Sequence, residues 1–147
     1  MRNFLGGLLE NLRAIPGVTA AGATDSLPFG GNVNASAMGV EGYNPATGEL
    51  PPVPNWSHID AGYLAAMKIP LRAGRYFREG DTADAQKVAI VDDYLARKYW
   101  PGTSPIGRHI RRGIEPGAPL YTVVGVVGSV KSDDLADQSP RGAVYFD

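Results

Sequence analysis

The sequence predicts an α+β domain: a mixed sheet with short helices. Three observations carry this. Strand-like and helix-like patterns alternate irregularly, which disfavours a regular βαβ repeat. Glycine (19) and proline (12) are frequent among 147 residues, so turns are many and long helices have little room. The run Tyr121 to Val130 is apolar, β-branched, short and broken by Gly125 and Gly128, and it reads as the central strand of the sheet. The length suits one domain, residues 1–147, or two intertwined subdomains whose boundary the sequence does not mark.

Taken in order, Phe4, Leu5, Leu8, Leu9, Leu12 and Ile15 recur at helical spacing, so residues 3–15 form an amphipathic helix that Pro16-Gly17 ends. Val18 to Leu27 reads as a strand weakened by its alanines and Gly22. Pro28 to Ala35 is a turn-rich loop, and a short strand follows around Ala37 to Val40. Glu41 to Asn55 contains Pro45, Pro51, Pro52 and Pro54, which predicts an extended connection. Trp56 to Ile59 alternates as a strand.

The stretch Ile59 to Phe77 reads as a structural clasp. Asp60 can cap a short helix with Tyr63, Leu64 and Met67 on one face. Lys68 suits the negative end of its dipole, Pro70 stops it, and Gly74 supplies a turn flanked by Ile69/Leu71 and Tyr76/Phe77. Arg78 to Gln86 is polar and exposed. Lys87 to Val91 is a compact strand. Asp92 caps a helix from Asp93 to Trp100, with Arg97 and Lys98 near its C-terminal end and Pro101-Gly102 beyond it. Ser104 to Gly107 turns, Arg108 to Arg112 is a basic strand, and Pro116 to Pro119 turns again. Lys131 to Arg141 is polar loop, and Val144 to Phe146 a last strand.

Composition excludes several classes. A net charge of −1 gives no broad attraction for nucleic acid or an anionic membrane. Without cysteine there are no disulfides, thiolate nucleophiles or cysteine-ligated metals. No segment approaches the ~20 apolar residues that span a bilayer. The first residues lack the basic-then-apolar pattern of a signal peptide, and Met1 is compatible with a natural start or with an internal cut.

Each candidate for chemistry has a structural reading that outweighs it. Gly125-Val126-Val127-Gly128 lacks the Lys-Ser/Thr of a phosphate loop and the spacing of a dinucleotide fingerprint, so it predicts a bulge or a close backbone approach. His58 and His109 are the only histidines, and neither has a nucleophile motif beside it. Asp81 and Asp84 in one loop, and Asp133, Asp134 and Asp137 in another, lack the calcium-loop pattern and read as solvated turns. Arg108, His109, Arg111 and Arg112 form a basic patch suited to a solvated strand face or a protein contact. Asn34-Ala35-Ser36 and Asn55-Trp56-Ser57 match the short glycosylation pattern, which recurs by chance. The residues therefore nominate no catalytic, cofactor-binding or metal-binding set.

An ordered series of short motifs resembles the periplasmic core domain of MacB-like ABC transporter permeases, of the large acidobacterial type. It runs through Pro16-Gly17-Val18, Ser26-Leu27-Pro28, Val40-Glu41-Gly42, Gly62-Tyr63-Leu64, Met67 to Leu71, Gly74-Arg75-Tyr76-Phe77 and Asp81. It continues through Val88 to Val91, Leu95 to Gly102, Pro105 to Ile110, Val123 to Val130 and Val144-Tyr145. Leu64 and Asp92-Asp93 stand where the family favours Phe and Asn-Glu. The resemblance implies a strand–helix–strand core with a smaller appended lobe, and a non-catalytic domain on the outer face of the cytoplasmic membrane, acting in conformational relay and protein–protein contact during efflux. Its implied partners are the transmembrane part of the same permease, the ATPase subunit or domain, and a periplasmic adaptor protein, with no nucleic acid and no cofactor. The alternative is a free-standing periplasmic hydrolase or ligand-binding protein using His58 or His109, which predicts a deep polar pocket holding a histidine and a carboxylate of shifted pKa.

Overall fold

The computed structural model describes residues 2–31, 33–81, 86–130 and 141–147. Along the chain, α1 (Arg2–Arg13) is followed by β1 (Asn34–Ala35), β2 (Gly39–Val40), β3 (Asn55–His58) and α2 (Tyr63–Ala66). Then come β4 (Leu71–Gly74), β5 (Val88–Asp92), α3 (Asp93–Tyr99), β6 (His109–Arg111), β7 (Leu120–Val127) and β8 (Ala143–Phe146). The strands join one mixed sheet in the order β1-β3-β8-β5-β7-β6-β2, with β4 also paired to β7. The α+β class with a mixed sheet and short helices is therefore as expected.

The run expected at the centre does lie inside the sheet. β5 runs parallel along one edge of β7, while β6 covers Leu120 to Thr122 on the other edge and β4 covers Gly125 to Val127. The edge passes from β6 to β4 at Val123 and Val124, where Gly107 N–H donates to the Val123 oxygen and Arg75 N–H to the Val124 oxygen. β8 is buried at every position because β3 flanks it in parallel and β5 antiparallel.

Alternation on these strands feeds two apolar layers. Ala89, Val91, Val144 and Phe146 face one layer, where Leu95 of α3 and Trp100 cover them. Val88, Ile90, Ala143 and Tyr145 face the other, covered by Ile59, Tyr63, Leu64, Ile69 and Phe77. The stretch 59–77 thus clasps one face of the sheet, as expected. A register shift between Ala89 and Ile90 pairs them with Val123 and Gly125, so β7 carries one extra residue. The bulge keeps both strands in phase: Val91 meets Val126, and both face the first layer. Gly125 is needed there because a Cβ would collide with the Arg75 carbonyl oxygen. The expected bulge and close approach are one feature.

Asp92 caps α3 as expected, its carboxylate accepting from Leu95 N–H at 2.9 Å. α2 ends with Lys68 in the left-handed region (φ 55), with Lys68 N–H donating to the Ala65 oxygen and Ile69 N–H to the Leu64 oxygen. That is a Schellman closure.

Several expectations change. Val18 to Leu27 is not a strand: only Thr24 bridges to Ile59. Asp60 accepts from Ala23 N–H at 2.7 Å and Asp25 accepts from His58 N–H at 3.0 Å, so side chains supply what a ladder would. Asp60 gives no side-chain cap within α2 and instead accepts from Gly62 N–H. Met67 points outward, 43% exposed, because the helix is only one turn long. Asn34–Ala35, expected as loop, pairs with Trp56 and Asn55. Gly74, expected in a turn flanked by Ile69/Leu71 and Tyr76/Phe77, instead ends strand β4, where its positive φ lets the chain cross β7 at its bulge. The expected loop over residues 131–140, with Asp133, Asp134 and Asp137, and the position of Asp84 lie outside the described residues.

Candidate functional site

The sequence leaves α1 with a strong apolar stripe, and the fold covers little of it. Leu9 is 6% exposed, whereas Phe4 is 76%, and Leu5, Leu8, Leu12 and Ile15 are all exposed. Helical spacing places these side chains along one stretch of surface. Arg13, at the end of the helix, donates to the Ala21 carbonyl at 2.9 Å and to Asp60 at 3.2 Å, which fixes the helix to the clasp.

The two histidines lie on β3 and β6, and each engages a different carboxylate. His109 Nδ1 is 2.6 Å from Glu41, which also accepts its N–H and pairs with Arg108 at 3.4 Å. The hydrogen bond from His109 holds the Glu41 carboxyl below its ordinary value. His58 Nδ1 is 3.0 Å from Asp25, and its Nε2 is 3.2 Å from an Arg112 nitrogen. The Arg112 guanidinium lies 4.0 Å from the centre of the Trp56 ring and 5.2 Å from that of Phe146. Arg111 donates to the Ala118 carbonyl. The basic patch expected as a solvated strand face is thus tied down within the chain, residue by residue.

Beside His58 is a hollow of about 210 Å³ lined by Asp81, Gln86, Lys87, Val88, Tyr121 and Asp147. It brings a histidine close to a carboxylate of shifted pKa, as the hydrolase alternative requires. The carboxylate is already engaged: Asp81 accepts two bonds from Arg75, at 2.6 and 2.9 Å, and one from Arg78 N–H. The Arg75 hydrogen bonds hold Asp81 below the usual range. Both ring nitrogens of His58 are engaged too, and among the described residues no serine or threonine lines the hollow. Among the described residues, the arrangement neither presents a free base nor aims a nucleophile. Asp81 is also not the solvated turn residue expected, since its side chain is 12% exposed. Among the described residues, no group of three or more His, Asp or Glu is placed to hold a metal ion, and no helix is long and apolar enough to cross a membrane.

Sequence reading missed Asp25, Glu41 and the Trp56–Arg112 stack. Asp25 meets His58 across 33 positions, and Glu41 meets His109 across 68, so no local spacing signals either pair.

The chain aligns over 94% of its length with the periplasmic region of MacB from Actinobacillus actinomycetemcomitans, at 15% identity and a TM-score of 0.59. It aligns equally, at 19% identity, with the extracellular domain of the noncanonic ABC-type transporter YknZ from Gram-positive bacteria (94% covered, TM-score 0.59). A domain described as that of a permease protein from Porphyromonas gingivalis matches over 96% at 18% identity and a TM-score of 0.59. At these identities the likeness is one of fold. The chain spans 52%, 59% and 56% of those three chains, respectively. No curated protein sequence matches it. The model of the MacB-like periplasmic core domain matches residues 6–146, essentially the whole sheet and all three helices, and the chain belongs to that family.

Proposed function

We propose that this domain is the outer, non-catalytic part of an ABC-type export permease, working by protein–protein contact and by relaying motion between its partners. The family match over residues 6–146 carries the reading. The uncovered apolar stripe of α1 supports it, because a relay must grip its neighbour through a surface that its own core does not consume. The neighbours would be the transmembrane part of the same permease and, beyond it, the ATPase. A periplasmic adaptor protein is a further contact of the same kind. The side-chain engagements of His58 and Asp81 favour contact over hydrolysis.

Two measurements on the intact permease test this. The chain has no cysteine, so Leu50→Cys, at an 81% exposed position, provides a unique label within it. In spheroplasts a membrane-impermeant maleimide should label that site; labelling only after lysis would overturn the outer location. Leu8→Asp with Leu12→Asp should at least halve ATP turnover while leaving the melting temperature of the domain within a few degrees. Unchanged turnover would overturn the relay.

A further inference from the structure

In the sheet order β6 and β3 are separated by β7, β5 and β8, yet Arg112, one residue past β6, reaches His58 on β3. The sheet curls enough for a single side chain to bridge these distant strands. Arg112 does so by lying on the aromatic rings of Trp56 and Phe146, with Tyr121 beside them at 4.5 Å from Phe146. Guanidinium nitrogens only donate, so His58 Nε2 must accept from Arg112. The ring proton is then on Nδ1, where it donates to Asp25 Oδ2. Asp25 Oδ1 in turn accepts from His58 N–H, and Asp25 N–H donates to the His58 carbonyl, so the carboxylate cannot drift away.

We propose that Asp25, His58 and Arg112 form a proton-operated latch: neutral His58 holds Arg112 across the sheet, and a second ring proton releases it. Protonation consumes the Nε2 lone pair and places an N–H and a positive charge against a guanidinium. Asp25 keeps the charged ring in place, so Arg112 is the group that leaves. Other charges face this region. Lys87, before β5, lies over the Tyr121 ring, and Asp81 and Asp147 line the hollow beside the imidazole. Asp81 is held in place by Arg75 and by Arg78 N–H, and Lys87 adds to the repulsion of a charged ring. The latch rests on geometry alone and does not depend on the permease reading.

The test is an NMR titration of the 147-residue chain from pH 8 to 5, following the His58 ring carbons, the Trp56 indole and the nuclear Overhauser contacts between Arg112 and Trp56. The Trp56 and Arg112 signals should move with the midpoint of His58, and the contacts should fall by more than half. His58→Gln is the decisive variant: its amide oxygen can accept from Arg112 and its NH₂ can donate to Asp25, with no titration. It should keep the contacts at every pH. Contacts that persist while His58 titrates, or an unaltered response in His58→Gln, would overturn the latch. Loss of the β5 amide dispersion in the same step would show unfolding instead and would overturn it equally.

Discussion

Arg13 and Asp60, 47 positions apart, meet at 3.2 Å, and the same guanidinium nitrogen also donates to the Ala21 carbonyl. Asp60 divides its other acceptor capacity between Ala23 N–H and Gly62 N–H. One carboxylate therefore ties α1, the 18–27 segment and the start of α2 together. Apart from Leu9, α1 has little buried surface to hold it. Arg13→Ala should loosen the helix without unfolding the sheet. Amide exchange in α1 should accelerate roughly 5- to 10-fold, the equivalent of about 1 kcal/mol, while β5 amides stay unchanged. Equal acceleration in both would show that α1 is part of the cooperative core.

Gly74 combines φ +70 with a neighbourhood in which a Cβ would strike the Val124 carbonyl oxygen and the Ile106 side chain. Gly74→Val should cost about 3 kcal/mol or more, from backbone strain together with a forced shift of β4 on β7. Gly80 has open space where a Cβ would sit, and Gly80→Ala should change stability by less than about 0.5 kcal/mol. Urea melts of both variants separate a local clash from a general intolerance of substitution.

Lys68 occupies the left-handed position that closes α2, at φ 55, where glycine has no side chain to strain. Lys68→Gly should raise stability by about 0.5–1 kcal/mol in chemical denaturation, since the Schellman bonds involve only backbone. A loss of stability would show that the lysine side chain contributes more than its backbone costs.

Two acids should respond to pH in opposite directions. Asp81 is held low by Arg75, so its contribution is present above the unfolded value near 3.9 and is lost as pH falls through its lower folded value. Asp81→Asn should cost about 1–2 kcal/mol at pH 7, and the difference should close in strong acid. Asp92 is 2% exposed, and burial pushes its carboxyl up. Its stabilisation is full below the unfolded value and declines as pH rises through the folded one. Asp92→Ala should cost about 1–2 kcal/mol through loss of the cap. Asp92→Asn keeps a capping oxygen and should be better tolerated at pH 7 than at pH 4. Melts of the three variants between pH 2 and 8 check both signs.

The sequence by itself determined the elements with a local cause. Leucine spacing made α1, Asp92 made the start of α3, and the β-branched runs made β5 and β7. Gly125 signalled a close approach because few other reasons place glycine inside such a strand. Tertiary structure alone decided the rest, because the deciding contacts lie far apart along the chain. Val18 to Leu27 had a strand's length but pairs only through the Thr24–Ile59 bridge, beside which Asp60 accepts from Ala23 N–H and Asp25 from His58 N–H. Gly74 looked like a turn residue, yet the edge of β7 pairs with Leu71–Gly74 as a strand. The amphipathic pattern of α1 named the apolar side chains but not their covering, and the clasp and α3 had already closed both faces of the sheet. The four basic residues from Arg108 to Arg112 suggested a solvated face, and curling of the sheet instead brought Arg112 onto Trp56 and His58. A periodic pattern reports what a segment can bury; which surface buries it is settled only when the whole sheet has closed.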